Sequence, residues 1–379
     1  MDILPRPWAL RLRLAAEGRQ ALGRQRTIQP PGGVDFCSND YLGLRRDPRL
    51  AQASARAADT WGSGSGAARL LRGTSPEHEA LESELALWKG TEACLLFNTG
   101  FQANATVLPA LVGPGDLICS DTLNHASIVE GCRLAKASGA QVHVYPHGAL
   151  ETLERKLSEP RPAASRVLVV TDAVFSMDGD AADLPGLVAL CARHEALLLV
   201  DEAHATGLLG PHGAGLCEAQ GVAGRVPLVM GTLGKALGSF GAYVAGPTEL
   251  RDHLVNTCRG FLFSTALPAP VVAAAREGVR IARAEPWRRE RALAMAERLR
   301  AALGLPRHPS AIVPLPIGED GAAVAAASAL QARGFDVRAV RPPTVPPGTA
   351  RLRITTGAHL EDGQVDALLE ALGEAGLRA

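Results

Sequence analysis

The sequence predicts an α/β fold: a mostly parallel sheet with helices on both faces, followed by a C-terminal α+β domain. Three observations carry this. From about residue 91 to 235, short apolar runs alternate with helical stretches, the pattern of strands buried on both faces. After "FLFSTALPAP" the texture changes to a long Ala-, Arg- and Glu-rich helical region and then a second, shorter series of strands and helices. The length of 379 residues exceeds one small core. The expected divisions are an N-terminal helix and extended segment over 1–50, a large α/β domain over 51–267, and a connecting helix with the C-terminal α+β domain over 268–379.

In chain order, "MDILPRPWALRLRLAAEGRQ" is an amphipathic, Arg-rich helix suited to docking, and "GGVDFCSNDYLGLRRDP" is extended and ends in turns. Residues 51–90 give a helix, the glycine-rich loop "WGSGSGAARLLRG", and a helix opened by Ser75-Pro76 with early acidic residues. Six strands follow: "ACLLFN", "DLICSD", "QVHVYPH", "RVLVVTDAVF", "ALLLVDEAH" and "VPLVMGTLGK". Helices lie between them at "TGFQANATVLPALV", at "HASIVEGCRLAKASG" and near 149–158 and 185–195. One helical region is expected over roughly 268–304. Strand "AIVPLPIG", helix "AAVAAASALQARG", strand "FDVRAV", loop "RPPTVPPGTA", strand "RLRIT" and helix "VDALLEALGEAG" complete the chain.

Formal net charge is zero, with no basic stripe or acidic tail, which argues against a nucleic-acid partner. No apolar run reaches membrane-spanning length, and the first residues lack the pattern of a secretory signal. The seven cysteines are scattered, without C-x-x-C or H-E-x-x-H. This predicts reduced thiols in a cytoplasmic protein and no metal site.

The chemistry gathers where parallel strands end, the edge at which open sheets bind ligands. One strand ends at Asp172 and leads to Ser176, the next ends at Asp201, Glu202 and His204, and the last at Thr232 and Lys235. Lys235 is one of only four lysines, set among glycines in "GTLGKALGSFGA". A lysine in such a tight loop has its pKa lowered by burial and can form a Schiff base with a carbonyl. Asp201, after four apolar residues, needs a cationic or N–H partner, which a protonated pyridine nitrogen would provide. Together the pair suits pyridoxal phosphate (PLP). Thr99 and Gly100, between a strand and a helix, offer N–H groups for a phosphate, and His125 could lie flat on a cofactor ring. In "RLRIT", Arg351 and Arg353 share one face, from which an arginine can fork onto a carboxylate. A Walker loop fits poorly, since Ala236 stands where Ser or Thr would meet magnesium. An NAD-dependent dehydrogenase is a distant alternative. "GSGSGA" matches a loose G-x-G-x-x-A, but "SARAADTW" before it reads as helix where a strand is required.

The motifs "SNDYLGL", "GSGSGAARLLRG", "NTGFQAN", "NHASI", "VFSMDGD", "VDEAHATG", "GTLGKALG" and "RPPTVPPGTARLRIT", in that order, resemble the α-oxoamine synthase family of fold-type I PLP enzymes. The resemblance covers most of the chain and implies a transferase fold with a mostly parallel, seven-stranded-type sheet. It implies that Lys235 carries the cofactor, Asp201 meets the pyridine nitrogen, His204 meets the ring hydroxyl and His125 stacks on the ring. Gly100, Phe101 and Thr232 would hold the phosphate, and Ser176 would touch the cofactor. Arg353 would take the amino-acid carboxylate, Thr344 would contact substrate, and Arg24, or its competitor Arg26, would meet the acyl group. A homodimer with sites at the interface is implied, with Ser264 or Thr265 reaching the partner's phosphate. The phrase "RPPTVPPGTARLR" favours a member that condenses L-alanine with a pimeloyl thioester, on coenzyme A or acyl carrier protein, in biotin biosynthesis. Alternatives within the family are 5-aminolevulinate synthase and 2-amino-3-ketobutyrate CoA ligase.

Overall fold

The computed structural model describes residues 3–377. Twelve strands are present among them: β1 Val34–Asp35, β2 Ala93–Phe97, β3 Leu117–Asp121, β4 Gln141–Tyr145, β5 Val167–Asp172, β6 Leu197–Asp201, β7 Leu228–Thr232, β8 Ala242–Gly246, β9 Ile312–Gly318, β10 Phe335–Asp336, β11 Arg338–Val340 and β12 Ala350–Thr355. Seven of them form one sheet in the order β2-β8-β7-β6-β5-β3-β4. β8 is antiparallel to both its neighbours, and every other pairing is parallel.

Alternation along each strand sends side chains to two buried faces, as strands covered by helices on both sides require. Val167 and Val169 join one apolar cluster and Leu168 and Val170 the other; Cys94 and Leu96 likewise oppose Leu95 and Phe97. A third cluster is built on β9 and β12, with Met295, Leu299 and Leu368. Phe36, from the N-terminal segment, is fully buried in it.

Several local features differ from the sequence reading. β8 was absent from it: five residues ending in Gly246 and following a glycine loop look like the loop's continuation. The expected single helix over 268–304 is two, Ala269–Ala284 and Trp287–Ala302, divided at Pro286, which lacks an N–H for a continuous ladder. "FDVRAV" divides at Val337, with β10 pairing with β1 and β11 with β12. The first helix runs Arg6–Ala21 and buries none of its side chains within this chain, so its docking partner is not found here. Residues 1 and 2 of that expected helix lie outside the described residues. The stretch before "GSGSGA" is helix Pro48–Trp61, so the strand a dinucleotide fingerprint needs is missing.

Candidate active site

Three neighbouring parallel strands deliver the polar cluster. β5 and β6 pair in register so that Asp172 lies opposite Asp201, and β6 pairs Asp201 with Met230 of β7. The chain beyond β7 turns back through the Lys235 loop into β8. Two glycines make that turn possible. A Cβ at Gly231 would fall 2.3 Å from the Tyr243 hydroxyl, and Gly238, at φ +67°, presses on the backbone of Leu44 and Arg45.

The Lys235 Nζ lies 2.8 Å from His204 Nε2. Burial lowers the lysine pKa to about 8, against the pull of Asp201 and Asp172, with Arg353 adding to the depression. His204 is driven well below its usual range by burial and then by the positive charges of Lys235, Arg353 and His125. The imidazole is therefore neutral. Asp172 is pushed well above the usual carboxylate range by burial and then by the charge of the neighbouring Asp201.

Asp201 is oriented by two donors, Asn104 Nδ2 at 2.7 Å and the Ala203 N–H at 2.8 Å. Asn104 also donates to Ser127 Oγ at 3.0 Å, and Ser127 Oγ lies 2.7 Å from His125 Nδ1. His125 caps helix Ala126–Ala137 with that same nitrogen, and its own N–H donates to Asp172 at 2.7 Å. Burial holds the His125 pKa down, opposed by Asp201. Asp201, His125 and Asp172 are thus one hydrogen-bonded frame.

Gly100 and Phe101 open helix Gly100–Leu111, capped by Thr99, whose hydroxyl accepts from Gln102 N–H at 3.0 Å. As the first two residues of the helix, their N–H groups have no partner inside it, an arrangement that receives anions. The Thr232 hydroxyl donates to Gly241 O at 3.0 Å and accepts from Gly234 N–H at 3.2 Å. The amine, the oriented carboxylate and the open helix start together fit the aldehyde, ring nitrogen and phosphate of PLP. No group of His, Cys, Asp or Glu side chains able to hold a metal occurs among the described residues.

Arg353 is buried, and its Nε donates to Ser176 O at 2.6 Å. Ser176 thus contributes its carbonyl here. Both Arg353 terminal nitrogens donate to Asn39 Oδ1, at 3.2 and 3.1 Å. Asn39 also accepts from Tyr41 OH at 3.0 Å, and Tyr41 OH lies 2.7 Å from His204 Nδ1. Asn39, Tyr41, Asn104 and Ser127 were not assigned roles from sequence, although "SNDYLGL", "NTGFQAN" and "NHASI" contain all four.

Other expected residues stand apart from this cluster. Arg24 pairs with Asp320 at 2.8 Å, and Arg26 donates to Pro342 O at 3.1 Å, beside the exposed Thr344. Both arginines fasten the N-terminal segment to the C-terminal part of the chain. Ser264 Oγ accepts from Gln102 Nε2 at 2.5 Å and Thr265 O from Asn98 Nδ2 at 2.8 Å, so both flank the start of this chain's own helix Gly100–Leu111.

Residues 31–372 match the family model for aminotransferase class I and II. The chain is 51% identical over 374 residues to an 8-amino-7-oxononanoate synthase of Anaeromyxobacter dehalogenans, covering 94% of this chain and 93% of that one. It is 46% identical to the 8-amino-7-oxononanoate synthase of Geobacter sulfurreducens, over 96% and 91% of the two chains. Among solved structures, a serine palmitoyltransferase variant from S. paucimobilis with a bound PLP–myriocin aldimine superposes with a TM-score of 0.90 at 30% identity, covering 99% and 98% of the chains. An 8-amino-7-oxononanoate synthase from Francisella tularensis gives 0.76 at 25% identity, over 91% and 98%. The fold is that of the fold-type I PLP transferases, and by its identity to curated members over nearly its whole length the chain belongs to the 8-amino-7-oxononanoate synthase family.

Proposed function

We propose that this protein is a PLP-dependent acyltransferase. It condenses L-alanine with a pimeloyl thioester, of coenzyme A or acyl carrier protein, to give 8-amino-7-oxononanoate, carbon dioxide and the free thiol in biotin biosynthesis. The observation that carries the chemistry is the part-buried Lys235 amine, 2.8 Å from a neutral His204 and one strand from an oriented Asp201. Bound PLP supplies the electron sink for the carbanion at the alanine Cα.

The chain's own residues do the rest. Lys235 would hold the cofactor aldehyde and is the base placed to take the alanine α-proton; a pKa of about 8 leaves a useful fraction of free amine at neutral pH. Asp201, held by Asn104 and Ala203, would keep the pyridine nitrogen protonated. His204 would meet the ring hydroxyl, and His125 would stack on the ring and assist at the β-keto acid stage. Gly100, Phe101 and Thr232 would hold the phosphate, and Ser176 would touch the cofactor. Arg353 seats the alanine carboxylate. Thr344 and an N-terminal arginine meet the acyl substrate. The engagement of Arg24 Nε by Asp320 still leaves its two terminal nitrogens for that task, and Arg26 is the other candidate. The protein works as a cytoplasmic homodimer, with Ser264 or Thr265 turned to the partner's cofactor. No helix among the described residues is long and apolar enough to cross a membrane.

The test is turnover of L-alanine with pimeloyl-CoA, with product identified by mass spectrometry. Faster turnover of glycine with succinyl- or acetyl-CoA would assign another α-oxoamine synthase activity instead.

A further inference from the structure

A line of hydrogen bonds, buried at its centre and part-buried toward both ends, runs from Lys235 to Arg353: Lys235 Nζ to His204 Nε2 (2.8 Å), His204 Nδ1 to Tyr41 OH (2.7 Å), Tyr41 OH to Asn39 Oδ1 (3.0 Å), and Asn39 Oδ1 to both terminal nitrogens of Arg353 (3.2 and 3.1 Å). Its members come from the N-terminal segment, the turn after β6, the Lys235 loop and β12. Tyr41 is 1% exposed, His204 7% and Arg353 9%, while Asn39 and Lys235 are half-buried, so water cannot make good a misdirected proton at the Tyr41–His204 centre of the line.

The direction of every proton follows from the far end. A guanidinium has only donors, so the Asn39 atom facing Arg353 must be the amide oxygen. That oxygen can only accept, and Tyr41, 3.0 Å away, must therefore donate its single hydroxyl proton to it. The Tyr41 oxygen is then left to accept, and the group that reaches it is His204 Nδ1, which must carry a proton. Because His204 is neutral, its Nε2 carries none. The reverse order would set the lone pairs of Tyr41 and Asn39 against each other in a dry site, or turn an amide NH2 toward the guanidinium.

We infer that Tyr41 is a positioning residue that locks His204 in the Nδ1–H tautomer, presenting an Nε2 lone pair to Lys235. The lock is a property of the chain itself and holds whatever reaction the site performs. One corollary rests on the proposed function: His204 can accept a hydrogen bond from the cofactor's ring hydroxyl but cannot donate one to it. The Lys235 ammonium, the other group at Nε2, is likewise a donor and is matched to the same lone pair.

The test is 15N NMR of the full-length chain labelled at the histidine ring nitrogens, with and without PLP, the His204 signals being those lost in His204→Gln. The expected native result is a protonated, pyrrole-type Nδ1 and an unprotonated, pyridine-type Nε2. In Tyr41→Phe the Nδ1 proton loses its acceptor, so the proton moves to Nε2 or the two tautomers interchange. Asn39→Asp keeps an acceptor for Tyr41 and should preserve the native tautomer. A native Nε2–H, or a Tyr41→Phe spectrum with the tautomer unchanged, overturns the inference. Should Tyr41→Phe fail to fold, the native spectrum alone decides. A negative turnover assay would refute the proposed function without touching this measurement.

Discussion

Replacing Lys89 by methionine should destabilise the protein strongly, because it breaks a buried ion pair from one side. Lys89 ends helix Pro76–Lys89, and its Nζ lies 2.5 Å from Glu202 Oε2, with side-chain exposures of 2% and 0%. The amine also donates to Thr206 Oγ1 at 3.0 Å and to Ala214 O, and sits 5.6 Å from the Tyr243 ring centre. Burial works against its charge, yet the Glu202 carboxylate overcomes this and lifts the lysine above its ordinary value. Glu202 immediately follows Asp201, and its carbonyl accepts from Ala205 and Thr206 N–H, closing the turn that carries His204. Lys89→Met keeps the apolar stem but strands the Glu202 charge, whose remaining donor is the Cys217 N–H at 2.7 Å. Breaking a buried pair from one side costs about 3–5 kcal/mol, whereas neutralising both partners is far milder. Urea unfolding followed by tryptophan fluorescence, at matched protein and cofactor concentration, measures the loss. Lys89→Met/Glu202→Gln should recover at least half of it, and kcat should fall in the single variant as the His204 turn loosens. A single-variant loss below about 1 kcal/mol, or a double variant less stable than the single, would refute the reasoning.

Other expectations concern charge. In the cofactor-free chain, amine-directed labelling read by mass spectrometry should find Lys235 half-reactive near pH 8 rather than at the ordinary 10.5, and Asp201→Asn should shift that midpoint lower, since Asp201 pulls it up. His147 bridges Asp121 and Asp180 at 3.1 and 2.8 Å, and these carboxylates raise its pKa from 6.5 to about 10. A raised histidine stabilises the fold fully below pH 6.5 and loses that contribution as pH climbs through about 10. His147→Gln should therefore cost about 1–2 kcal/mol at pH 6 after solvent screening and almost nothing at pH 10.5. Stability curves of parent and variant are compared, because Lys235 acts in the opposite sense between about 8 and 10.5 in both. Arg353→Lys should raise the KM for alanine about tenfold or more while leaving that for the thioester nearly unchanged, because a lysine cannot fork onto a carboxylate; equal changes in both would remove Arg353 from that role.

Lys235, Asp201 and His204 were legible in sequence because each follows an apolar strand, and a parallel sheet brings the ends of neighbouring strands together. Asn39 and Tyr41 were not. Their significance arises only when the N-terminal segment meets Arg353 and His204, contacts between residues far apart in the chain that no local period encodes. β8 was lost for a related reason: five residues closing on a glycine declare themselves a strand only through β2 and β7 on either side. The break at Pro286 was visible, but continuous helical composition on both sides masked it. Asn104 lies one turn into the helix that Gly100 opens, and its partner Asp201 is 97 residues away in sequence, a contact that no local pattern encodes.

The pairing of β1 with β10 sets Val34 beside Phe335. During synthesis the first strand must therefore wait, edge open, until the chain has been made through residue 335 and β10 has left the ribosome. By then the large sheet and its lysine loop can already have formed. The N-terminal strap that delivers Asn39 and Tyr41, and the strand bearing Arg353, arrive last and together. A nascent chain stalled before residue 335 would hold Lys235 and Asp201 but not Arg353, and the hydrogen-bond line that starts at Lys235 would lack its far end.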